Sequence, residues 1–281
     1  MKRSPILLVL VVALVASSPP AARADFPAGT PDQVQVLIGG TAATFGTAAA
    51  LGRKSGALSK MLVFEDFFNI PVSSQFARFE GTWRIKERHY LDFGYVNIER
   101  SGSRQIDSDI TFGDYTFHAG AQVTGGFDSR FLYAAYRYDF LHEDRIRISG
   151  SAGISAERLS MTVSSAAGVT DENGNTVTGG GSQEGHLSLP VPLLGLQLDW
   201  ALDPRFTFQT HTRMFALNYG GIRGRQTDTA VRMFWSFHRN TSVGLGYDQV
   251  SVDLPQYSTS DETLRFSYSI SGLSLYLRGT F

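Results

Sequence analysis

The residues best placed by type and spacing to do chemistry are His186 and Ser188, with Glu184 two positions before the histidine. In an extended segment alternate residues share a face, so this imidazole, hydroxyl and carboxylate project together. A histidine that deprotonates a serine while a carboxylate orients it is the arrangement of acyl-ester hydrolysis. All three residue types are common, however, and they lie beside the Gly179-Gly180-Gly181 tract, in a polar segment that holds such residues by composition alone. No catalytic residue is assigned on this basis, and the chain is read as non-enzymatic. Asp107, Asp109 and Asp114 could offer oxygen ligands to calcium, but they lack the spacing of a calcium loop and read as a solvated acidic segment. Zinc would call for clustered ligands such as His-x-x-x-His, which does not occur. The glycine tract precedes a strand-like segment, not a helix, and so is not a phosphate loop. No metal or cofactor is expected.

A larger ionisable set is spread along segments that alternate with period two. Helical periodicity is nowhere sustained. Ile146, Ile148, Gly150, Ala152 and Ile154 share one face and Arg147, Ser149, Ser151, Gly153 and Ser155 the other. Leu194, Leu196, Leu198, Trp200 and Leu202 alternate with Gly195, Gln197, Asp199 and Ala201. Thr227 to Phe237 and Phe79 to Ile85 behave likewise. A charge facing bilayer hydrocarbon costs about 2–4 kcal/mol at the midplane. If these segments cross a bilayer, the faces carrying Arg84, Arg137, Asp139, Arg147, Asp199, Arg213, Asp228, Arg232 and Asp248 must point inward. Both signs occur, so a lumen network of ion pairs is the preferred reading, and His211 with Arg213 and Asp199 reads as part of it. The alternative is a selective constriction for a small polar solute.

Four short polar turns join such segments: Lys86-Glu87-Arg88-His89, Leu141 to Arg145, Asp203-Pro204-Arg205 and His238-Arg239-Asn240. Trp83, Tyr138 with Phe140, Trp200, and Trp235 with Phe237 precede them, and Tyr90 and Phe206 follow two of them. Aromatic residues beside turns at one end of a sheet fit a membrane-interface girdle. The remaining connections, around 46–75, 101–122 and 165–184, are longer; 255–262 is short and polar. With strands near Gln33–Phe45 and Thr263–Phe281, the count is about ten, with eight as the fallback. The spacing predicts an all-β, antiparallel transmembrane barrel with short periplasmic turns and longer extracellular loops. Leu62 to Pro71 fits either an extension of the second strand or a small plug leaning into the lumen.

Composition agrees with this class. The chain of 281 residues has a formal net charge of −1 and scattered basic residues, which argues against a nucleic-acid partner. Cysteine is absent, so no disulfide framework or thiolate site exists. A mean hydropathy of −0.09 suits strands that need only alternate apolar positions. Lys2 and Arg3, the apolar run Ile6 to Ala16 and the small residues of Ala22-Arg23-Ala24 fit a cleaved signal peptide over 1–24. The expected domain is a single barrel over 25–281.

At the C-terminus Leu273, Leu275, Leu277, Gly279 and Phe281 share one face. A terminal phenylalanine preceded by alternate apolar residues resembles the signal read by the outer-membrane barrel-assembly machinery, and the resemblance implies that role for Leu273, Leu275, Leu277 and Phe281. Gly279 departs from it, since a large apolar residue usually stands there, with Tyr276 as a substitute from the other face. Earlier in the strand the apolar phase is even, at Phe266, Tyr268 and Ile270, so a bulge near Ser271-Gly272 is expected. The chain as a whole resembles a group of proteobacterial outer-membrane barrels with no assigned activity. The resemblance rests on Arg78-Phe79-Glu80-Gly81, Glu87-Arg88-His89, Arg100-Ser101-Gly102-Ser103, Phe112-Gly113-Asp114 with Ala119-Gly120, Tyr136 to Phe140, Gly244-Leu245-Gly246-Tyr247 and Ser271 to Phe281. It implies a Gram-negative outer-membrane location, with outer-membrane lipid and lipopolysaccharide as surroundings and the assembly machinery as a partner in biogenesis. The His186-x-Ser188 pair is similar to that of outer-membrane lipid A deacylases, the least favoured of three functions. A structural or loop-presenting barrel with a filled lumen stands first, and a narrow passive channel second.

Overall fold

The structure, a computed structural model, describes residues 33–53, 61–171, 173–219, 222–258 and 262–281. The leader expected over 1–24 lies outside these residues. In chain order the elements are β1 (Val34–Arg53), β2 (Leu62–Val63), α1 (Phe64–Phe68), β3 (Ser73–Lys86), β4 (His89–Gln105), β5 (Ile110–Phe112) and β6 (Tyr115–Phe117). There follow β7 (Gln122–His142), β8 (Ile146–Ser165), β9 (Val169–Thr170), β10 (Gly181–Ala201), β11 (Phe206–Tyr219), β12 (Ile222–His238), β13 (Thr241–Ser258) and β14 (Glu262–Thr280). The wall runs β1-β3-β4-β7-β8-β10-β11-β12-β13-β14, every pair antiparallel, and β14 returns to pair with β1 from Gln35↔Thr280 to Arg53↔Glu262. This is a closed barrel of ten strands, not eight. Closure matters because hydrocarbon offers no partner to an unpaired backbone group. All four short turns fall between consecutive wall strands. The start of β1 and the C-terminal residue meet on the same side as these turns, where Gln33 and Val34 donate to the Phe281 carbonyl at 2.8 and 3.0 Å.

Large apolar side chains face outward over the half of the barrel nearest these turns. Leu273 and Leu275 are 60% and 69% exposed, and Trp83, Tyr138, Phe140, Leu194, Leu196, Trp200, Trp235 and Phe237 are exposed with them. A continuous apolar band of this kind is untenable in water and is the surface that acyl chains require. Tyr90 departs from the expected girdle: it points into the lumen, is buried, and its hydroxyl donates to the Glu87 carbonyl at 3.1 Å.

The bulge expected at Ser271-Gly272 is absent. β14 pairs without a break from Thr280 to Glu262 on β1, and the one irregularity on β13 lies between Leu254 and Tyr257. Leu264, Phe266, Tyr268, Ile270, Ser274, Tyr276 and Arg278 all face inward on one unbroken phase. What changes along the strand is the environment, not the register. Near the turns the outside is lipid, so apolar residues point outward and polar ones inward. Farther out the interior is itself an apolar core, with Phe45, Leu51, Phe64, Phe68, Ile98, Phe127, Leu159, Met161, Leu254, Phe266 and Tyr268 buried together. The β-strands therefore project beyond the lipid belt and are filled there like a soluble protein. Over this core lies a three-stranded sheet of β5, β6 and β9, from which Phe112, Phe117 and Val169 are buried.

The segment 61–72 takes the plug alternative. β3 is shorter than its neighbours, and its ladder to β4 ends at Arg78↔Val96. Beyond that point β2 pairs with β1 at Ala48↔Val63 and Ala49↔Leu62, and the Phe45 amide donates to the Val72 carbonyl at 2.8 Å. On the other side side chains close the gap: Arg100 donates to the Pro71 carbonyl at 2.8 Å and Arg104 to that of Asp66 at 3.4 Å. α1 ends in a left-handed Asn69 with φ 53°. Its close approach needs two glycines that are cross-strand partners, Gly102 and Gly125. A Cβ on Gly102 would lie 2.6 Å from the Phe68 carbonyl, and one on Gly125 would collide with the Phe68 ring.

Two substitutions test this plug. Phe68→Ala should cost about 3–5 kcal/mol through the cavity it leaves, and Gly125→Val about 1–3 kcal/mol through overpacking. Both should lower the temperature at which the folded band is lost on semi-native gels, whereas the exposed Val72→Ala should leave it unchanged.

Candidate functional site

The lumen of the turn-proximal half holds the ionisable residues, and strand alternation places them. Even positions of β3 and β12, odd positions of β7, β8, β10 and β11, and even positions of β4, β13 and β14 point inward there. Arg137, Asp139, Arg147, Arg213, Arg232 and Asp248 are buried in it, Asp199 and Asp228 are partly buried, and Arg84 is half-buried near its turn. Their contacts sort them into groups.

The first group spans the lumen. Arg232 on β12 donates both terminal nitrogens to Glu80 on β3 at 2.9 and 2.8 Å, across an arc occupied by β13, β14 and β1. This bidentate fork is the strongest geometry for a guanidinium and a carboxylate. Asp248 accepts from Arg232 at 3.2 Å and from Arg78, Ser274 and Tyr276, each at 2.5 Å. The Arg232 guanidinium also lies 4.6 Å from the Tyr276 ring centroid. Tyr276 thus lies on the lumen face, opposite to that of Gly279, with its hydroxyl committed to Asp248.

A second group centres on Arg137, which donates to Asp92 at 2.7 and 3.3 Å and approaches Asp139 at 3.5 Å and Asp199 at 4.0 Å. Asp92 also accepts from Thr82 at 2.7 Å, and Asp139 from Ser149 at 2.6 Å. Asp199 accepts from Gln209 at 2.7 Å and Gln197 at 2.8 Å. In a third, Arg213 pairs with Asp228 at 3.3 Å, with His211 3.6 Å from the same carboxylate. Asp199 therefore belongs with Arg137 and not with His211. Arg147 donates to the Tyr90 hydroxyl at 3.5 Å.

Sequence reasoning missed Arg78, Glu80, Asp92 and Arg278. Each lies on an inward position of a strand with outward apolar neighbours, so the same phase argument reaches them. It also missed the outer pair, in which Glu65 of α1 accepts from Arg100 at 2.8 Å and from the Thr47 amide at 2.9 Å. No strand phase assigns Glu65, because it is on the plug. Two cavities among these groups have volumes of about 50 and 60 Å³, each with room for a few waters. The first is lined by Asp92, Arg137, Asp199 and Arg213 among others, the second by Arg78, Glu80, Asp228 and Asp248 with Phe131, Val250 and Ile270.

Glu184, His186 and Ser188 share the outward face of β10 and are exposed. The Glu184 carboxylate accepts from Ser160 at 2.6 Å, and no His186–Ser188 hydrogen bond is formed. The catalytic arrangement weighed from sequence is not assembled. On the cap, Asp109 accepts from the Ala119 amide at 2.8 Å and lies 2.9 Å from His118 Nδ1, while His118 Nε2 is 3.0 Å from the Thr170 hydroxyl. The chain Asp109–His118–Thr170 ties the β5–β6 hairpin to β9. The Ala119 amide, followed by His118, holds the Asp109 carboxyl below the usual range. Asp107 pairs with Arg104 at 3.0 Å. Among the described residues no three His, Asp or Glu side chains converge as a metal site.

The outer membrane protease OmpT of Escherichia coli is similar in structure, with a TM-score of 0.57 and 14% identity over 90% of this chain and 98% of that one. The toluene transporter TodX of Pseudomonas putida matches at TM-score 0.36 and 9% identity, over 91% and 92% of the two chains. Ail, the attachment invasion locus protein of Yersinia pestis, matches at 0.29 and 7%, over 87% and 99%. No family model matches the chain, and no curated protein does. The fold is that of a Gram-negative outer-membrane β-barrel, and with its outward apolar belt the chain is an integral protein of that membrane.

Removing one partner of the spanning pair should leave a buried charge. Glu80→Leu or Arg232→Met alone should destabilise by about 3–5 kcal/mol, and the two together by less than either, read as urea midpoints of the refolded barrel. Asp109 is an acid whose folded pKa is depressed, so its contribution is present above its unfolded value, about 3.9, and is lost as pH falls through the folded one. Hydrogen-exchange protection over 106–120, taken relative to the intrinsic rate at each pH, should fall between pH 6 and pH 3, and Asp109→Asn should show the low protection at both.

Proposed function

We propose that this protein is a closed, non-conducting and non-enzymatic barrel that serves the outer membrane as a structural element and offers its outer cap to the surroundings. The Arg232–Glu80 chord carries the reading. A bidentate pair spans the lumen between β12 and β3, and the Asp248 and Arg137 groups stand around it. Above it α1 and the apolar core fill the outer half. A solute would have to break buried ion pairs and then cross an apolar core, each of which is costly.

Planar-bilayer recording on the refolded protein tests this. Silence under an applied potential is expected, and discrete, ion-dependent steps would establish the narrow channel instead. For the hydrolase reading of the outer wall, Ser188→Ala should leave lipopolysaccharide acylation unchanged; altered acylation would restore that reading.

A further inference from the structure

The outer face of β4, β7, β8 and β10 changes character within one residue pair. Tyr95, Leu132, Ala156 and Pro190 are successive cross-strand neighbours facing outward, with Tyr95 and Leu132 exposed as part of the lipid belt. Two positions farther from the short turns, the neighbours are Asn97, Arg130, Arg158 and Ser188. Arg130 and Arg158 are therefore directly opposite each other, both outward and both exposed. Like charges in this position repel and destabilise a sheet. Arg130 has one opposite charge near it, the Asp128 carboxylate two positions along the same face. Another outward arginine, Arg225, meets Asp253 of the neighbouring strand at 3.1 Å.

Beyond the arginines the wall turns to acceptors and hydroxyls. Glu99, Asp128, Ser160 and His186 form the next set of cross-strand neighbours, and Glu184 lies beyond, bonded to Ser160. From the belt outward the order is apolar, then paired cations, then carboxylates with hydroxyls. A phosphorylated sugar anchored by acyl chains presents the complementary order: chains on the apolar wall, phosphate between the guanidiniums, and sugar hydroxyls donating to the carboxylates. Arginine forks bind phosphate with two parallel hydrogen bonds, and a phosphate between two of them removes their mutual repulsion.

We propose that Arg130 and Arg158 form a binding site for the phosphate of an outer-leaflet glycolipid, with Asp128 and Ser188 contacting its sugar. The site rests on the outer-membrane placement of the chain and is independent of whether the lumen conducts. Native mass spectrometry of the refolded barrel in detergent, titrated with diphosphorylated lipid A, tests it. The wild-type barrel should retain one lipid, and the Arg130→Gln/Arg158→Gln double variant should bind at least about tenfold more weakly. Arg225→Gln should bind as wild type. Retention of the folded band on semi-native gels shows that the variants are intact, and Arg130→Lys/Arg158→Lys should recover part of the affinity. Undiminished binding by the glutamine double variant would overturn the site. Equal binding of dephosphorylated lipid A would overturn the phosphate contact, and equal binding of phosphatidylglycerol the assignment to a glycolipid.

Discussion

An ionised side chain that reaches neither water nor an opposite charge is too costly to keep, and the turn-proximal half of this lumen is organised by that constraint. Arg232 can be buried because Glu80 meets it with both oxygens and Asp248 stands beside it. Asp248 can be buried because Arg78, Ser274 and Tyr276 also reach it. These partners come from β3, β12, β13 and β14. The group therefore exists only when the first and last thirds of the chain have met, and it rewards the same closure that pairs β1 with β14. Wall and contents are a single cooperative object.

Much of this was legible from the sequence, because a barrel in lipid imposes a rule of alternation that few residues can break. The four short turns, the outward Trp83, Trp200 and Trp235, and the count of ten follow from that rule. So does the inward placement of Arg137, Asp199 and Asp248. Where the sequence misled, the solvent outside the wall had changed. Phe266, Tyr268 and Ile270 suggested a bulge because an apolar residue was equated with lipid contact. Once the strands leave the membrane, the outside is water and the apolar face turns to the core without any shift in register. Tyr90 misled in the opposite way, since an aromatic residue beside a turn can serve the lumen with its hydroxyl and ring.

Partners remote in sequence were not legible. The Arg232–Glu80 contact links residues 152 positions apart, and only closure brings them together. The plug was visible as an ambiguity, but Glu65 belongs to no alternating strand. The sequence reading also passed over Gly102 and Gly125, a pair of inward glycines of the kind that marks something approaching closely. Here it is the end of α1 and the ring of Phe68.

The shortness of β3 has a mechanical meaning. Around most of the circumference two wall strands can be parted only by breaking a run of backbone hydrogen bonds. Between outer β1 and outer β4 the joint is made instead by a few guanidinium and amide contacts to the plug. Such a joint is a seam in an otherwise woven tube. Under a force that pulls the outer rim apart, strain would concentrate along it, and the tube would yield there while its cross-section within the lipid stayed intact.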